Sequence, residues 1–358
     1  MRIAIIGAGA AGLMCACMLP EHADVTVFDG NDTVGRKLLL TGKGRCNLTN
    51  LVSPAQFLRS VPRNAEFVSH AIHAFAPHDT VAFFNQLGLE TVVENNNRVF
   101  PKSNKARDVV AVLETHARSR GIKFELGHTV TDIHLLMSEF DTVVVATGGM
   151  SFSGTGSTGD GFTFAHTLGH SILPTRPSLC GLQLATPTGF QGTSLTVSAT
   201  LGPHTEVGDM MFTRNGVSGP VIHKLTSLFM DHEIRGQTLT IDLIPNIAKP
   251  QFNPADKPFY AFRKYVPQTI ANWLTTLGHK PTNIKSIRIP IADFDPIDAA
   301  TVTRGGVDIT QIDPVTMQSR LIPNLYFIGE VLDVDALSGG FNLQIAFATA
   351  VACARSFN

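Results

Sequence analysis

Residues 2–13 read Arg2-Ile3-Ala4-Ile5-Ile6-Gly7-Ala8-Gly9-Ala10-Ala11-Gly12-Leu13. An apolar run, Ile3 to Ile6, meets Gly7-x-Gly9-x-x-Gly12. An apolar helix-like segment follows, and a second β-rich run, Val25 to Phe28, ends in Asp29. Strand, glycine turn, helix, strand and closing acid together form a dinucleotide-binding pattern in its full context. Gly7 permits the tight turn, Gly9 lets backbone approach a pyrophosphate, and Gly12 lets helix and strand pack closely. The helix N-terminus offers free N–H groups and partial positive charge to phosphate. Asp29 stands near the spacing at which an acid grips the ribose hydroxyls of an adenosine. The pattern specifies an ADP moiety and leaves FAD and NAD both open.

The chain has 358 residues, 44% of them hydrophobic and 16% charged, which suits two domains or one large domain carrying an insertion. With 28 basic and 29 acidic residues the net charge is −1, so no global field draws it to nucleic acid or membrane. Its first residues imitate a signal peptide, but the glycine pattern and the β-α-β order favour the dinucleotide reading. No apolar run approaches the ~18 residues of a membrane span. The five cysteines, at 15, 17, 46, 180 and 353, are odd in number and show no CxxC, which fits a reducing cytoplasm. The thirteen histidines show no metal-ligand spacing, so no metal site is expected.

Outward from the first unit, residues 30–53 form a Gly/Lys/Arg-rich loop. Residues 64–87 read as helical, 89–93 with 98–100 as a hairpin, 106–119 as a helix, and 123–126 and 142–146 as strands. After about residue 175 the composition turns to Thr, Gly, Val and Leu, with β-like runs at 195–201, 210–213 and 239–244. Residues 260–277 look helical, α/β character returns near Arg304, and a last strand (325–328) and helix (340–356) follow. The expected organisation is a discontinuous nucleotide-binding domain, 1–178 and 304–358. A mostly antiparallel domain, 179–303, interrupts it and carries a helical segment at about 258–278. An insertion of roughly 120 residues is an ordinary domain size.

Three segments decide between FAD and NAD. In Gly35-Arg36-Lys37-Leu38-Leu39-Leu40-Thr41-Gly42-Lys43-Gly44-Arg45-Cys46-Asn47, four cations within ten residues can neutralise a pyrophosphate, and the leucines anchor the loop in a core. Val143-Val144-Val145-Ala146-Thr147-Gly148-Gly149 is an apolar strand ending in A-T-G, as chains often return beside FAD. Leu325 to Glu330 is a strand ending in Gly-acid, so Glu330 can accept from ribityl hydroxyls. Helix onset at Gly339 or Gly340 can then aim an N-terminus at the flavin pyrimidine ring. All three in chain order favour FAD. Gly154-Thr155-Gly156-Ser157-Thr158-Gly159 also matches G-x-G-x-x-G. It neither abuts a strand nor precedes a suitably spaced acid, so it reads as a loop bordering the flavin.

The chain resembles the BaiN/RdsA family of NAD(P)/FAD-dependent oxidoreductases, distant relatives of the fumarate reductase flavoproteins. The resemblance rests on G-R-K-L-L-L-T-G-K-G-R-C-N (35–47), A-T-G-G-M-S-F-S-G-T-G-S-T-G-D-G (146–161) and F-T-R-N-G-V-S-G-P (212–220). T-R-G-G-V (303–307), T-M-Q-S-R (316–320) and G-E-V-L-D-V-D-A-L-S-G-G-F-N-L-Q (329–344) complete it. It implies an α/β fold: an FAD-binding Rossmann-like domain interrupted by a β-barrel-like domain with a helical subdomain. Residues 246–283 look shorter than the family's version of that subdomain. It also implies that FAD touches Gly7, Gly9, Ala10, Ala11, Gly12, Asp29, Gly30, Arg36, Lys37, Thr41, Gly42, Arg45, Cys46 and Asn47. Val130, Ala146, Thr147, Gly148, Gly329, Glu330, Asn342, Leu343 and Gln344 follow from the same resemblance, Val130 from a strand beside the adenine.

Catalytic candidates are Cys46, Asn47, Asp333 and Arg304, with Lys43, Arg45, Asp160 and Asp335 also near the expected flavin. Cys46 is either a thiol activated by Arg45 or a small residue packed under the cofactor. Asp333 and Asp335 hold a proton or cap a helix, and Arg304 binds an anionic substrate or forms a salt bridge. Arg214 and Asn215 form a tight turn, with Ser218-Gly219-Pro220 starting a helix. The resemblance implies NAD(P)H-driven reduction of a C=C bond in a small organic substrate, with NAD(P)H visiting as a transient reductant. Reduction of uridine in ribosomal RNA is an alternative, with Lys/Arg at 249, 257, 263, 264, 280, 285 and 288 as a local patch. An FAD-dependent amine oxidase is another.

Overall fold

In a computed structural model, residues 1–230 and 233–357 are described. The chain clusters into two compact units, Met1–Arg176 with Val302–Asn358, and Pro177–Thr301. The junctions expected from composition fall after residues 178 and 303.

The first unit is built on a five-stranded parallel sheet in the order Leu325–Phe327, Thr142–Val145, Arg2–Ile6, Asp24–Asp29, Lys123–Leu126. Ile3 to Ile6 and Thr142 to Val145 are buried throughout, as central strands covered on both faces must be. The first helix, Ala10–Met18, and the last, Phe341–Arg355, are hydrophobic nearly all round and lie in the same core. A small antiparallel sheet, Thr49–Asn50, Arg98–Pro101 and Thr91–Val93, flanks them and contains the expected hairpin.

Two glycines make the strand-turn-helix possible. Gly7 has φ +106°, and a Cβ there would stand 2.5 Å from the Ala146 carbonyl oxygen. A Cβ on Gly12 would overlap the carbonyl oxygen of Gly7. The first helix therefore sits directly on the turn that precedes it, and the returning strand closes over both.

The second unit is a closed six-stranded barrel, in the order Ser194–Leu201, His204–Thr213, Gly216–Ser218, Leu182–Leu184, Ile287–Phe294, Thr238–Asp242. All pairings are antiparallel. Arg214 and Asn215 make the turn into Gly216–Ser218, and helix Pro220–Leu228 starts after Gly219, with Pro at its first position.

Several sequence expectations need correction. The 64–87 helix is two helices, Ala65–Ala74 and Pro77–Gln86, because Pro77 lacks the N–H that would continue the first. Pro267 divides the 260–277 helix likewise, into Pro258–Arg263 and Gln268–Thr276. Ile287–Phe294 is a barrel strand inside the expected antiparallel domain but in none of its expected β-like runs, with Pro290 within it. Val130 lies in no strand. The edge strand Lys123–Leu126 ends before it, and the chain then turns back through Gly127 N–H to Asn31 O at 2.8 Å and His128 N–H to Asp29 O at 3.0 Å. No helix among the described residues is long and apolar enough to cross a membrane.

Replacing Gly12 with alanine should lower the stability of the chain by about 3 kcal/mol or more, since backbone rather than a flexible side chain must yield. Chemical denaturation of G12A beside the wild type measures this, and an unchanged midpoint would contradict the packing described.

Candidate flavin site

The site begins at the end of the first strand. Gly9 caps helix Ala10–Met18 with no side-chain hydrogen bond, and the first turn holds no acid. The first intrahelical bond is Leu13 N–H to Gly9 O, 2.9 Å, so the N–H groups of Ala10, Ala11 and Gly12 precede it. A Cβ on Gly9 would meet nothing within 4 Å. This is an open, uncapped helix N-terminus, suited to a phosphate.

Asp29 closes the second strand. Its carboxylate accepts from Ala8 N–H, Asn31 N–H and Asn31 Nδ2, each at 2.8 Å. It therefore ties the glycine turn to the next loop. Asn31 in turn accepts from Arg36 Nη1 at 2.6 Å and donates to Thr155 O at 3.1 Å. The second glycine-rich loop thus borders the first motif. Gly30 faces Thr129, whose Oγ1 would be 2.7 Å from an added Cβ, so the segment with Val130 passes the end of this strand as a loop.

The 35–47 segment folds as a short helix, Arg36–Leu40, and a tight turn, Thr41–Gly44. Gly42, Lys43, Gly44 and Cys46 all have positive φ. Two of these are not glycine, a concentration of left-handed backbone of the kind found at ligand sites. Asn50 Nδ2 fastens the segment to Gly339 O at 3.1 Å, and Gly340 stands where a Cβ would be 2.5 Å from the Thr49 carbonyl carbon. The N-terminal loop and the C-terminal glycine pair thereby share one wall.

The C-terminal motif is clamped by three cations. Lys37 Nζ pairs with Glu330 at 2.7 Å, Arg304 grips Asp335 through two bonds of 2.8 and 2.7 Å, and Arg63 forks onto Asp333. Asn64 Nδ2 also donates to Asp333, at O (2.6 Å) and Oδ2 (3.1 Å). Arg304, Asp333 and Asp335 are buried. Arg304 is therefore the salt bridge of its two sequence readings, and Asp333 is engaged structurally rather than placed as a free acid.

Asn342 joins this framework: its side chain accepts from Ala336 N–H and donates to Ala336 O, both 2.8 Å. Gln344 is buried with its amide turned to Thr80 Oγ1 (2.7 Å) and Phe75 O (2.8 Å), and its N–H bonds Gly340 O. Gln344 thus has partners other than the expected cofactor. Helix Phe341–Arg355 keeps an uncapped N-terminus with no acid in its first turn, so Asn342 and Leu343 can contribute backbone N–H groups.

Cys46 is fully buried, and burial pushes its thiol up to about 12, against a smaller opposing hydrogen bond from Thr41. Arg45 does not activate it. That guanidinium lies 4.1 Å from the Phe100 ring centroid and bonds Glu94 and Asn104. The packed reading of Cys46 holds. Lys43 and Asp160 are exposed.

Among the described residues three buried side-chain oxygens lack any hydrogen-bond partner: Asn47 Oδ1, Thr49 Oγ1 and Thr147 Oγ1. Asn47 and Thr147 lie in the 35–47 loop and the A-T-G return, two of the segments that the sequence assigns to FAD, and Thr49 lies two residues beyond that loop. Orphaned buried polar atoms call for a ligand. Together with the bare helix N-terminus and the open face at Gly9, they fit a dinucleotide cofactor. Among the described residues no cluster of His, Cys, Asp or Glu suits a metal ion.

G9A should melt within about 2 °C of the wild type without flavin yet bind FAD at least about tenfold more weakly, because its new methyl enters open space at the cradle. Thermal melts and flavin titration check this pair, and unchanged FAD affinity would contradict it. All five cysteines are buried, so native protein at pH 7 should resist iodoacetamide while denatured protein takes up five labels. The raised thiol pKa of Cys46 favours the folded state's proton. Its contribution is constant below the ordinary value of 9.0 and is lost as pH climbs from there toward 12. Rapid labelling of Cys46 in mass-spectrometric mapping would overturn this.

The family profile described as HI0933-like protein Rossmann domain matches residues 1–356. The chain is 31% identical to the ribosomal RNA dihydrouridine synthase of Haemophilus influenzae, over 99% of this chain and 98% of that protein. It is 30% identical to the 3-dehydro-bile acid delta(4,6)-reductase of Clostridium scindens, again over 99% and 98%. Among solved structures it is similar in fold to the 3-ketosteroid-delta4-(5alpha)-dehydrogenase of Rhodococcus jostii RHA1. That match has 14% identity and a TM-score of 0.51, covering 98% of this chain and 96% of that one. The bare glycine turn, the orphaned oxygens around it and a family match along nearly the whole chain lead to one assignment: the chain belongs to the HI0933-like Rossmann family of FAD-dependent oxidoreductases.

Proposed function

We propose that this oxidoreductase uses NAD(P)H to saturate a C=C bond in a small organic molecule. The observation that carries the reading is that two relatives of equal coverage are named for the saturation of carbon–carbon double bonds on very different molecules. What they have in common is the reaction, not the substrate. Bound flavin would supply the hydride chemistry, accepting from NAD(P)H and delivering to one carbon of the alkene.

The chain's own part is to hold the flavin and keep the site dry and ordered. The residues proposed for FAD contact are Gly7, Gly9, Ala10, Ala11, Gly12, Thr41, Gly42, Asn47, Thr147 and Gly148, with Asn342 and Leu343 through backbone. The proton for the second carbon is not assigned to the four sequence candidates. Cys46 holds its proton too tightly, Asp333 and Arg304 are locked in ion pairs, and the Asn47 amide is no acid.

A small substrate is favoured over RNA by the state of three of the seven basic residues proposed as a patch, Arg263, Lys264 and Lys285. Lys264 is paired with Asp256 at 2.6 Å and Lys285 with Asp242 at 2.7 Å. Arg263 donates to Val266 O at 3.0 Å. Their charges are partly cancelled or committed locally, which weakens a phosphate-binding stripe. A cytoplasmic location is proposed with it, supported by five cysteines that are all free thiols.

Anaerobic stopped-flow spectroscopy tests the proposal. NADPH or NADH should bleach the flavin band, and a conjugated enone should restore it without O₂. Bleaching by amines alone would support an amine oxidase and contradict this reading. Reoxidation by uridine-containing ribosomal RNA but by no small enone would move the substrate to RNA.

A further inference from the structure

Sequence reasoning places Glu330 against flavin hydroxyls, yet both its oxygens bond within the protein. Oε2 accepts from Lys37 Nζ at 2.7 Å. Oε1 accepts from Thr303 N–H at 2.8 Å and from Ser151 Oγ at 3.3 Å. Lys37 Nζ also donates to Ser151 Oγ at 2.8 Å. Thr303 Oγ1 accepts from the N–H groups of Met150 and Ser151 at 2.8 and 3.1 Å. Four segments meet in this ring: the Arg36–Leu40 helix, the turn after Ala146, the Val302–Val307 strand and the Gly329–Val331 turn.

The ring leaves little room. A Cβ on Gly149 would stand 2.5 Å from Thr303 Oγ1 and 3.1 Å from Glu330 Oε1. Gly329 abuts the first helix, its Cβ position lying 2.8 Å from Ala11 Cβ. The Lys37 and Glu330 side chains are only 22% and 21% exposed, so water screens the pair incompletely. Arg36, the neighbouring cation, is held instead by Asn31 at 2.6 Å.

We infer that Lys37 is a positioning residue of the flavin site that acts through Glu330, cancelling the carboxylate's charge beside a cofactor that is itself anionic. Ser151 and Thr303 orient the carboxylate but bring no positive charge. Without Lys37, a partly buried carboxylate would stand uncompensated in the site proposed for an anionic cofactor and would oppose its binding and any negative charge gained on reduction. The arrangement differs from a lysine that meets phosphate directly, because removing Glu330 then gives no rescue. The inference rests on the flavin reading of the site.

The test is a double-mutant cycle on FAD affinity, measured by quenching of flavin fluorescence, with the midpoint potential of bound flavin as a second readout. K37M should bind FAD about tenfold or more weakly and shift the potential to more negative values. K37M/E330Q and the charge-retaining K37R should each stay within about threefold of the wild type, with potentials near its own, whereas E330Q, which leaves Lys37 unpaired, should bind FAD no more weakly than the wild type and shift the potential to less negative values. If K37M does not fold, the double variant still decides, because it is expected to fold and bind. A double variant as weak as K37M, or an unshifted potential in a K37M that binds, overturns the inference. Failure of the wild type to bind FAD would instead sink the flavin reading itself.

Discussion

The close approach of backbone to backbone at Gly7, Gly12 and Ala146 is the constraint on which the first unit depends. Side chains at the two glycines would drive the first helix off its strand or push away the returning strand Thr142–Val145. With hydrogen atoms there instead, the Ala10–Met18 helix seats over the turn and its N-terminus is held at the strand end. The last helix then packs in the same core. Affinity for a dinucleotide follows from this packing, because it fixes where unpaired N–H groups point.

The C-terminal motif needs another kind of restraint. Gly329 to Gly340 is largely irregular chain, rich in acids and buried for much of its length. Buried carboxylates are tolerable only when paired. Here Lys37, Arg63 and Arg304 come from three separate segments, and each takes one acid. The pairs need not add net stability, since desolvation offsets much of their attraction. They do give the turn one arrangement, in which Asn342 braces Ala336 and the last helix begins at Phe341.

Local patterns were legible in the sequence because their causes are local. The glycine turn, the closing Asp29, the continuously apolar strand at 142–145 and the helix at Ala106–Ser119 depend on neighbours within a few residues. The partners of the acids were not legible. Lys37 and Glu330 are 293 positions apart and Arg63 and Asp333 270, so no spacing rule connects them. Cys46 was ambiguous for the same reason: its burial, and the turn of Arg45 toward Phe100, are tertiary facts. Val130, placed by the resemblance in a strand beside the adenine, lies in coil, and the bonds that turn the chain just before it run from Gly127 and His128 to Asn31 and Asp29. Pro290 hid a barrel strand, since proline usually argues against one.

The central claim is that the opening glycine motif holds FAD rather than a nicotinamide nucleotide. Equilibrium dialysis of the flavin-free chain against FAD and NAD⁺ in competition tests it most directly. The account predicts one FAD retained per chain, undiminished by excess NAD⁺. Retention of NAD⁺ with displacement of FAD would contradict it.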